Sequence, residues 1–342
     1  MASKIKVAVL GTGSLGQHHA RIYSELQAAG VVELTGIYDS HPETAHKIAE
    51  KHKVHVFASI AEAAAASDAL NIVTPTTTHF DLAKQLLTLG KHVLVEKPMT
   101  DSSAQAAELI QIAQQKNCVL QVGHVERFNP VFTFLQTVAT EPKFIECHRL
   151  SPFPARSTDI GVVLDLMIHD LDVVLAFVKS PVTSVDAVGI PVLSKSEDIA
   201  NVRLRFANGC VANLTASRIS PERMRKIRVF SGPTNPCYIS LDYRVQEGFI
   251  FRVAREGEKE SSLLKKVLTA KLGLDSVIVS EFAGKKIVRE PVPIAKDEPL
   301  KLELQSFVNC VREKLTPVVS GESAKRALDL AFEITRQIQQ IK

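Results

Sequence analysis

No uninterrupted apolar run in the 342 residues approaches the ~20 that a transmembrane helix needs, so no membrane span is expected. Met1 to Lys6 leads straight into an apolar strand-like segment, without the basic, apolar and cleavage regions of a signal peptide. Cysteine is scarce: Cys118, Cys147, Cys210, Cys237 and Cys310 are odd in number, widely spread and form no CxxC. That excludes a disulfide scaffold and the common zinc spacings, and it reads as reduced thiols in a cytoplasmic protein. Nothing beside any of the five marks it as an activated nucleophile. Excess charge of one sign is also missing, since 41 basic residues face 37 acidic ones. A net charge of +4 implies no nucleic-acid partner. Internal repeats and low-complexity tracts are absent.

What is there is an ordinary globular composition, 45% hydrophobic and 23% charged, in a chain long enough for two domains. The first 124 residues alternate strand and helix. Lys4–Leu10, Val31–Tyr38, Val54–Phe57, Ala69–Val73, His92–Glu96 and Val119–Val122 are short apolar runs that read as six strands. Helical patterns at Gln17–Ala29, Pro42–His52, Ile60–Ala66, Phe80–Leu89 and Ser102–Lys116 separate them. Strands joined by helices of this length imply right-handed crossovers and a parallel, doubly wound α/β sheet of the Rossmann type.

The turn after the first strand reads Gly11-Thr12-Gly13-Ser14-Leu15-Gly16 and directly opens a helix. In that context GxGxxG is a dinucleotide fingerprint. Gly11 permits the tight turn, Gly13 lets the backbone approach the pyrophosphate, and Gly16 allows helix and strand to pack closely. The phosphates would rest on N–H groups at the helix start. No GK[ST] follows, which excludes a P-loop. Asp39 ends the second strand, where a carboxylate takes the adenosine ribose hydroxyls and repels a 2′-phosphate. No Arg or Lys follows it before Lys47, so the expected cofactor is NAD and not NADP.

Further signals lie at the carboxyl ends of later strands, where such sheets bind ligands. These are Thr74-Pro75 with Thr78-His79, then Glu96-Lys97-Pro98, then Gly123-His124 followed by Glu126-Arg127-Phe128-Asn129. Together with the glycine turn they resemble the Gfo/Idh/MocA oxidoreductases, and the resemblance spans essentially the whole chain. It implies cofactor contacts from Thr74, Pro75, His79, Glu96 and Gly123, and places Lys97 beside the nicotinamide and the reacting hydroxyl. Gly161–Val178 has helical periodicity and sets Asp165 and His169 four apart on one face. The family's DxxxHxxD pattern is matched by Asp165, His169 and Asp172, which makes His169 the acid/base group and Asp165 its orienting or substrate-binding partner. Imidazole suits proton transfer because its unperturbed pKa of about 6.5 lies near working pH.

No metal is expected, since two ligands without a third make no site. His18, His19, His46, His52 and His55 also lack a metal constellation and read mostly as surface or loop residues, with His18 near the pyrophosphate. From Thr183 onward consecutive strands predict a mostly antiparallel open sheet in a second, α+β domain over 125–342, with Asn208-Gly209 as a hairpin turn. Two closing helices within 300–342 would return toward the first domain, 1–124. Residues 255–299 read as an arm, a hairpin or a loop. In the family an open sheet of this kind is buried against another subunit, which implies a homodimer or homotetramer.

The resemblance implies oxidation of a secondary alcohol on a sugar. The His124, Glu126, Arg127, Asn129 segment resembles the branch acting on C3 of UDP-N-acetylglucosamine, which feeds lipopolysaccharide sugars. Arg218, with Arg223, Arg225 and Lys226, would meet the diphosphate. An inositol or free-sugar dehydrogenase, an NAD-retaining glycosidase and a non-catalytic sensor of the same fold remain as alternatives.

Overall fold

The computed structural model describes residues 4–153, 160–232, 234, 236–254, 277–282 and 284–340. The chain divides into two compact units, Met1–Phe128 with Glu298–Asp329, and Asn129–Asp297 with Leu330–Lys342.

In the first unit five parallel strands, β1 (Ile5–Leu10), β2 (Val32–Tyr38), β3 (Ala69–Ile72), β4 (His92–Glu96) and β5 (Leu120–Gly123), take the order β2-β1-β3-β4-β5. All four residues of β3 and of β5 are buried, as expected of strands covered on both faces. The expected strand at Val54–Phe57 is a correction. It contributes a single bridge, Val56 to Ile37, so the sheet has five strands and not six. Lys53 turns the chain with φ 54°, and only the His55 carbonyl and Phe57 amide pair with Ile37. The helix Gly16–Ala28 buries Ile22, Tyr23 and Leu26 in a core that also takes Leu304, Phe307 and Val308 from the helix Pro299–Glu313.

Among the described residues the second unit is built on a nine-stranded sheet. Its strands are β6 (Pro142–Leu150), β7 (Val182–Ile190), β8 (Ile199–Phe206), β9 (Val211–Ser217), β10 (Met224–Ser231), β11 (Cys237–Asp242), β12 (Glu247–Val253), β13 (Val277–Phe282) and β14 (Lys285–Pro291). They lie in the order β13-β14-β12-β11-β10-β6-β9-β8-β7, antiparallel throughout except for β6 with β9. Period-two burial puts Ile145, Cys147, Val202, Leu204, Leu214, Ile227, Val229 and Ile239 on the inner face. The helix Ile168–Val178 packs against β6. Val277–Phe282 and Lys285–Pro291 pair as the antiparallel strands β13 and β14, while 255–276 and 283 lie outside the described residues.

Candidate cofactor and active site

The three glycines of the first turn meet different surroundings. Gly11 has φ +87°, and a Cβ there would fall 2.5 Å from the Val73 carbonyl oxygen. A Cβ on Gly16 would fall 1.9 Å from the Gly11 carbonyl oxygen, so helix and turn can close only on glycine. Gly13 has nothing within 4 Å of that position, which leaves its exposed surface open to a ligand. Ser14 and Leu15 are exposed beside it, Leu15 by 42%, and Thr12 is buried.

Asp39 follows β2 and fastens this turn. Its Oδ2 accepts from the Thr12 amide at 2.7 Å and the Thr12 hydroxyl at 3.0 Å, and its Oδ1 accepts from the His41 amide at 2.9 Å. Burial by itself would raise the carboxyl's pKa, but these bonds outweigh it and hold the group below the ordinary aspartate value. The residue is therefore a fixed anion with acceptor capacity left on Oδ1, which fits a ribose diol. The open face of Gly13 at the start of the helix and this anion together suit a dinucleotide without a 2′-phosphate.

The loops after β3 and β4 are tied together by His79. Its Nδ1 lies 2.9 Å from the Pro98 carbonyl oxygen and its Nε2 2.9 Å from the Thr74 carbonyl oxygen. A neutral ring donates one of these bonds and an imidazolium both. His79 is buried and acts as a clasp between loops, while Thr74 bonds Thr78 and Pro75 is exposed. Lys97 is half-buried, and its peptide bond to Pro98 is cis. Its amide donates to Glu96 Oε2 at 3.2 Å. The Glu96 carboxylate lies flat on Gly123, where a Cβ would come within 2.7 Å of it. Gly123 is thus explained by Glu96.

In the second unit the segment expected as plain α-helix begins with a π turn, Val163–Met167, before the α-helix Ile168–Val178. Turns bonded i to i+5 recur at functional sites. Asp165 sits in the π turn and His169 just beyond it. Both are half-buried, whereas Ile168, Asp170, Leu171 and Asp172 are buried. Two groups that sequence reasoning missed hold this segment. Asp170 is paired in a fork with buried Arg149 of β6, Nε to Oδ2 and Nη2 to Oδ1 each at 2.9 Å. Glu197 meets the segment's start, where its Oε1 accepts from the Val163 amide at 3.3 Å. Glu197 packs on Gly161 so closely that a Cβ there would fall 1.9 Å from it.

Several expected substrate contacts occupy other roles. Arg218 is fully buried. It donates to Asp198 Oδ1 at 2.8 Å, to the Ile160 carbonyl at 2.7 Å and to Ser194 Oγ at 2.8 Å. Asp198 is buried, yet amide bonds from Leu193, Val192 and Ser194 hold its carboxyl far below the usual range. This charge pair pins a loop inside the unit, and its guanidinium is not presented to a diphosphate. Asn129 caps the helix Pro130–Val138, accepting from the Val131 amide at 3.1 Å and donating to the Tyr243 carbonyl at 3.1 Å. Arg127 donates to the Val318 carbonyl at 3.1 Å, and His124 and Glu126 are buried. His19, one of the histidines read mostly as surface or loop residues, is fully buried. Among the described residues no cluster of His, Cys, Asp and Glu is arranged to hold a metal ion, and no helix is long and apolar enough to cross a membrane.

A glycine turn at the head of a parallel sheet, a ribose-ready carboxylate and a lysine at a strand's carboxyl end define a nucleotide-dependent oxidoreductase. Residues 5–124 match the model of the oxidoreductase family with an NAD-binding Rossmann fold, and 140–231 match the GFO/IDH/MocA C-terminal domain. The chain belongs to the Gfo/Idh/MocA family and is an NAD-dependent dehydrogenase acting on CH–OH groups. It is similar to UDP-N-acetylglucosamine 3-dehydrogenase of Acidithiobacillus ferrooxidans, with 32% identity over 96% of each chain. A solved structure of that enzyme superposes with a TM-score of 0.85 over 98% of both chains at 31% identity. It is also similar to the NAD-dependent scyllo-inositol 2-dehydrogenase of Bacillus subtilis, with 24% identity over 99% of this chain and 95% of that one.

Proposed function

We propose that this enzyme oxidises the C3 hydroxyl of UDP-N-acetylglucosamine, or of a related UDP-sugar, in the cytoplasm, supplying a 3-oxo sugar for amination in lipopolysaccharide synthesis. The observation that carries the reading is full-length likeness to a UDP-N-acetylglucosamine 3-dehydrogenase, 32% over 96% of the chain. The scyllo-inositol enzyme matches over a similar length at 24%.

Bound NAD supplies the hydride acceptor, held by Gly11 to Gly16 and Asp39. His169 accepts the hydroxyl proton, and Asp165 orients the imidazole or binds the sugar. Lys97 donates a hydrogen bond to the same oxygen and stabilises its developing negative charge. With Arg218 committed to Asp198, the diphosphate falls to Arg223, just before β10, and Arg225, while Lys226 lies on the opposite face of the strand. The protein works as a homo-oligomer through the outer face of its large sheet. Support comes from an aromatic ladder in which Phe144, Phe230, Tyr238 and Phe251 of four neighbouring strands follow one another with ring centroids 5.4, 4.8 and 5.3 Å apart, the first pair tilted and the other two stacked.

The test follows NADH absorbance with NAD and UDP-N-acetylglucosamine. Turnover is expected, and Lys97→Ala should lower kcat by about 10²–10³-fold, the usual cost of one such donor. Turnover with inositol, and neither turnover with nor thermal stabilisation by any UDP-sugar, would overturn the substrate.

A further inference from the structure

Beneath the first sheet's cofactor edge runs a line of polar side chains that an apolar core has no need of. Asn71 stands in the middle of β3, whose other residues are Ala, Leu and Ile. His19 and Tyr23 lie one turn apart on the helix Gly16–Ala28. Tyr23, Asn71 and His19 are fully buried, and Glu96 is 7% exposed. The Tyr23 hydroxyl donates to Asn71 Oδ1 at 3.0 Å, and Asn71 Nδ2 lies 3.0 Å from His19 Nδ1. On the far side of the ring, His19 Nε2 stands 3.2 Å from Glu96 Oε1, a close contact not aligned as a full hydrogen bond.

The Tyr23 end and the charge of Glu96 favour one polarity for this line. A carboxylate only accepts, so a proton on the His19 nitrogen 3.2 Å from Glu96 is the favoured tautomer, and Nδ1 then accepts from the Asn71 amide. That leaves Asn71 Oδ1 to take the Tyr23 proton. Burial pushes the Tyr23 phenol far above its usual range, so it stays a donor. Reversing any one member would set two acceptors or two donors against each other inside the core, where neither finds water.

The line ends on the residue that sets Lys97. Glu96 Oε2 accepts from the Lys97 amide, and its carboxylate rests on Gly123 with no room for a Cβ between them. With His19 Nε2 3.2 Å from one oxygen, the Lys97 amide on the other and Gly123 packed beneath, a turn of the carboxylate shifts the Lys97 backbone.

We propose that His19, Asn71 and Tyr23 are positioning residues, a one-way buried relay that orients Glu96 and thereby Lys97. This rests on the reading of Lys97 as the residue that meets the reacting hydroxyl. The three side chains of the relay are fully buried. Loss of the relay falls on kcat and leaves cofactor affinity nearly intact, since a misplacement of about 1 Å costs up to about 10²-fold in rate.

The experiment compares His19→Leu, His19→Gln and Tyr23→Phe in the full chain. Measured are kcat, KM, NADH affinity by fluorescence, thermal unfolding, and 15N spectra of histidine- and lysine-labelled protein. Expected are the Nε2-protonated tautomer of His19, and about a 10–100-fold fall in kcat for His19→Leu with NADH affinity within about threefold. His19→Gln, whose amide can both accept and donate, should recover most of the rate. Tyr23→Phe should lower kcat severalfold and shift the His19 signal. The Lys97 amide resonance, assigned with Lys97→Arg, should move in His19→Leu and return in His19→Gln. Unchanged kcat in His19→Leu, an equal loss of rate and NADH affinity unrelieved by Gln, or the opposite tautomer would overturn the proposal. Should the wild type oxidise no sugar, the proposed substrate fails, and the His19 tautomer and Lys97 amide still decide the relay.

Discussion

Gly13 and Gly16 are three residues apart in one turn, and they are glycine for opposite reasons. A methyl at 16 would fall 1.9 Å from the Gly11 carbonyl oxygen, so Gly16→Ala must open the turn or the helix start. A methyl at 13 would meet nothing within 4 Å, so Gly13→Ala has only a ligand to clash with. The expected outcome is a split. Gly13→Ala should unfold thermally as the wild type does while NADH affinity, read by fluorescence, falls at least about tenfold, or about 1.4 kcal/mol. Gly16→Ala should lose several degrees of melting temperature as well. Equal melting losses in both would show that the turn does not approach a ligand at Gly13. At this scale the sequence was legible where local packing follows from spacing along one segment, at the tight turn of Gly11 and the close helix start at Gly16. It was illegible wherever a charge is answered from far away. Arg218 and Asn129 read as ligand groups because Asp198 and the Tyr243 carbonyl, their partners, lie 20 and 114 residues off in the chain.

Among elements, the stretch carrying Asp165 and His169 shows how pairing hidden from sequence sets a site. Apolar periodicity revealed a helix, but not the π turn that opens it nor the Arg149–Asp170 fork one residue from His169. The same fork explains why β6 escaped notice. Its inner positions are Ile145, Cys147 and Arg149, and the charge at the third breaks the alternation that marks a half-buried strand. Removing one partner of a buried pair leaves an uncompensated charge, which typically costs 3–5 kcal/mol, whereas replacing both with apolar groups is often neutral. Arg149→Met should therefore lose about 3–5 kcal/mol in urea unfolding and reduce kcat, and Arg149→Met with Asp170→Leu should regain most of the stability. If the double variant stays as unstable as the single one, the fork is not what ties the helix to β6. Val54–Phe57 erred the other way, since an apolar run of strand length forms only one bridge.

For the whole molecule, the alternating and then consecutive strands announced two units, whereas the return of the closing helices came from the family resemblance, because no local pattern says which core a helix will join; Glu298–Asp329 belongs to the first unit and Leu330–Lys342 to the second. The large sheet poses a related problem. One face is covered within its own unit, while the other carries the rings of Phe144, Phe230, Tyr238 and Phe251, with Phe230 39% exposed. Ring pairs add about 0.5–1.5 kcal/mol each beyond their buried area, so the ladder is rigid in the free unit and brings little ordering cost to an association. A two-fold axis through such a face would set each ladder against the other copy, the self-complementary arrangement of most homodimers. Phe230→Glu puts a charge at the ladder's centre without touching the inner face, where Ile227 and Val229 stay buried. The variant should remain folded by circular dichroism but fall from dimer or tetramer to a smaller species in light scattering. An unchanged mass would move the interface off this face. A wild type that is monomeric at tens of micromolar would remove the need for one, and the aromatic rings would then be read as strand-to-strand packing within a single chain.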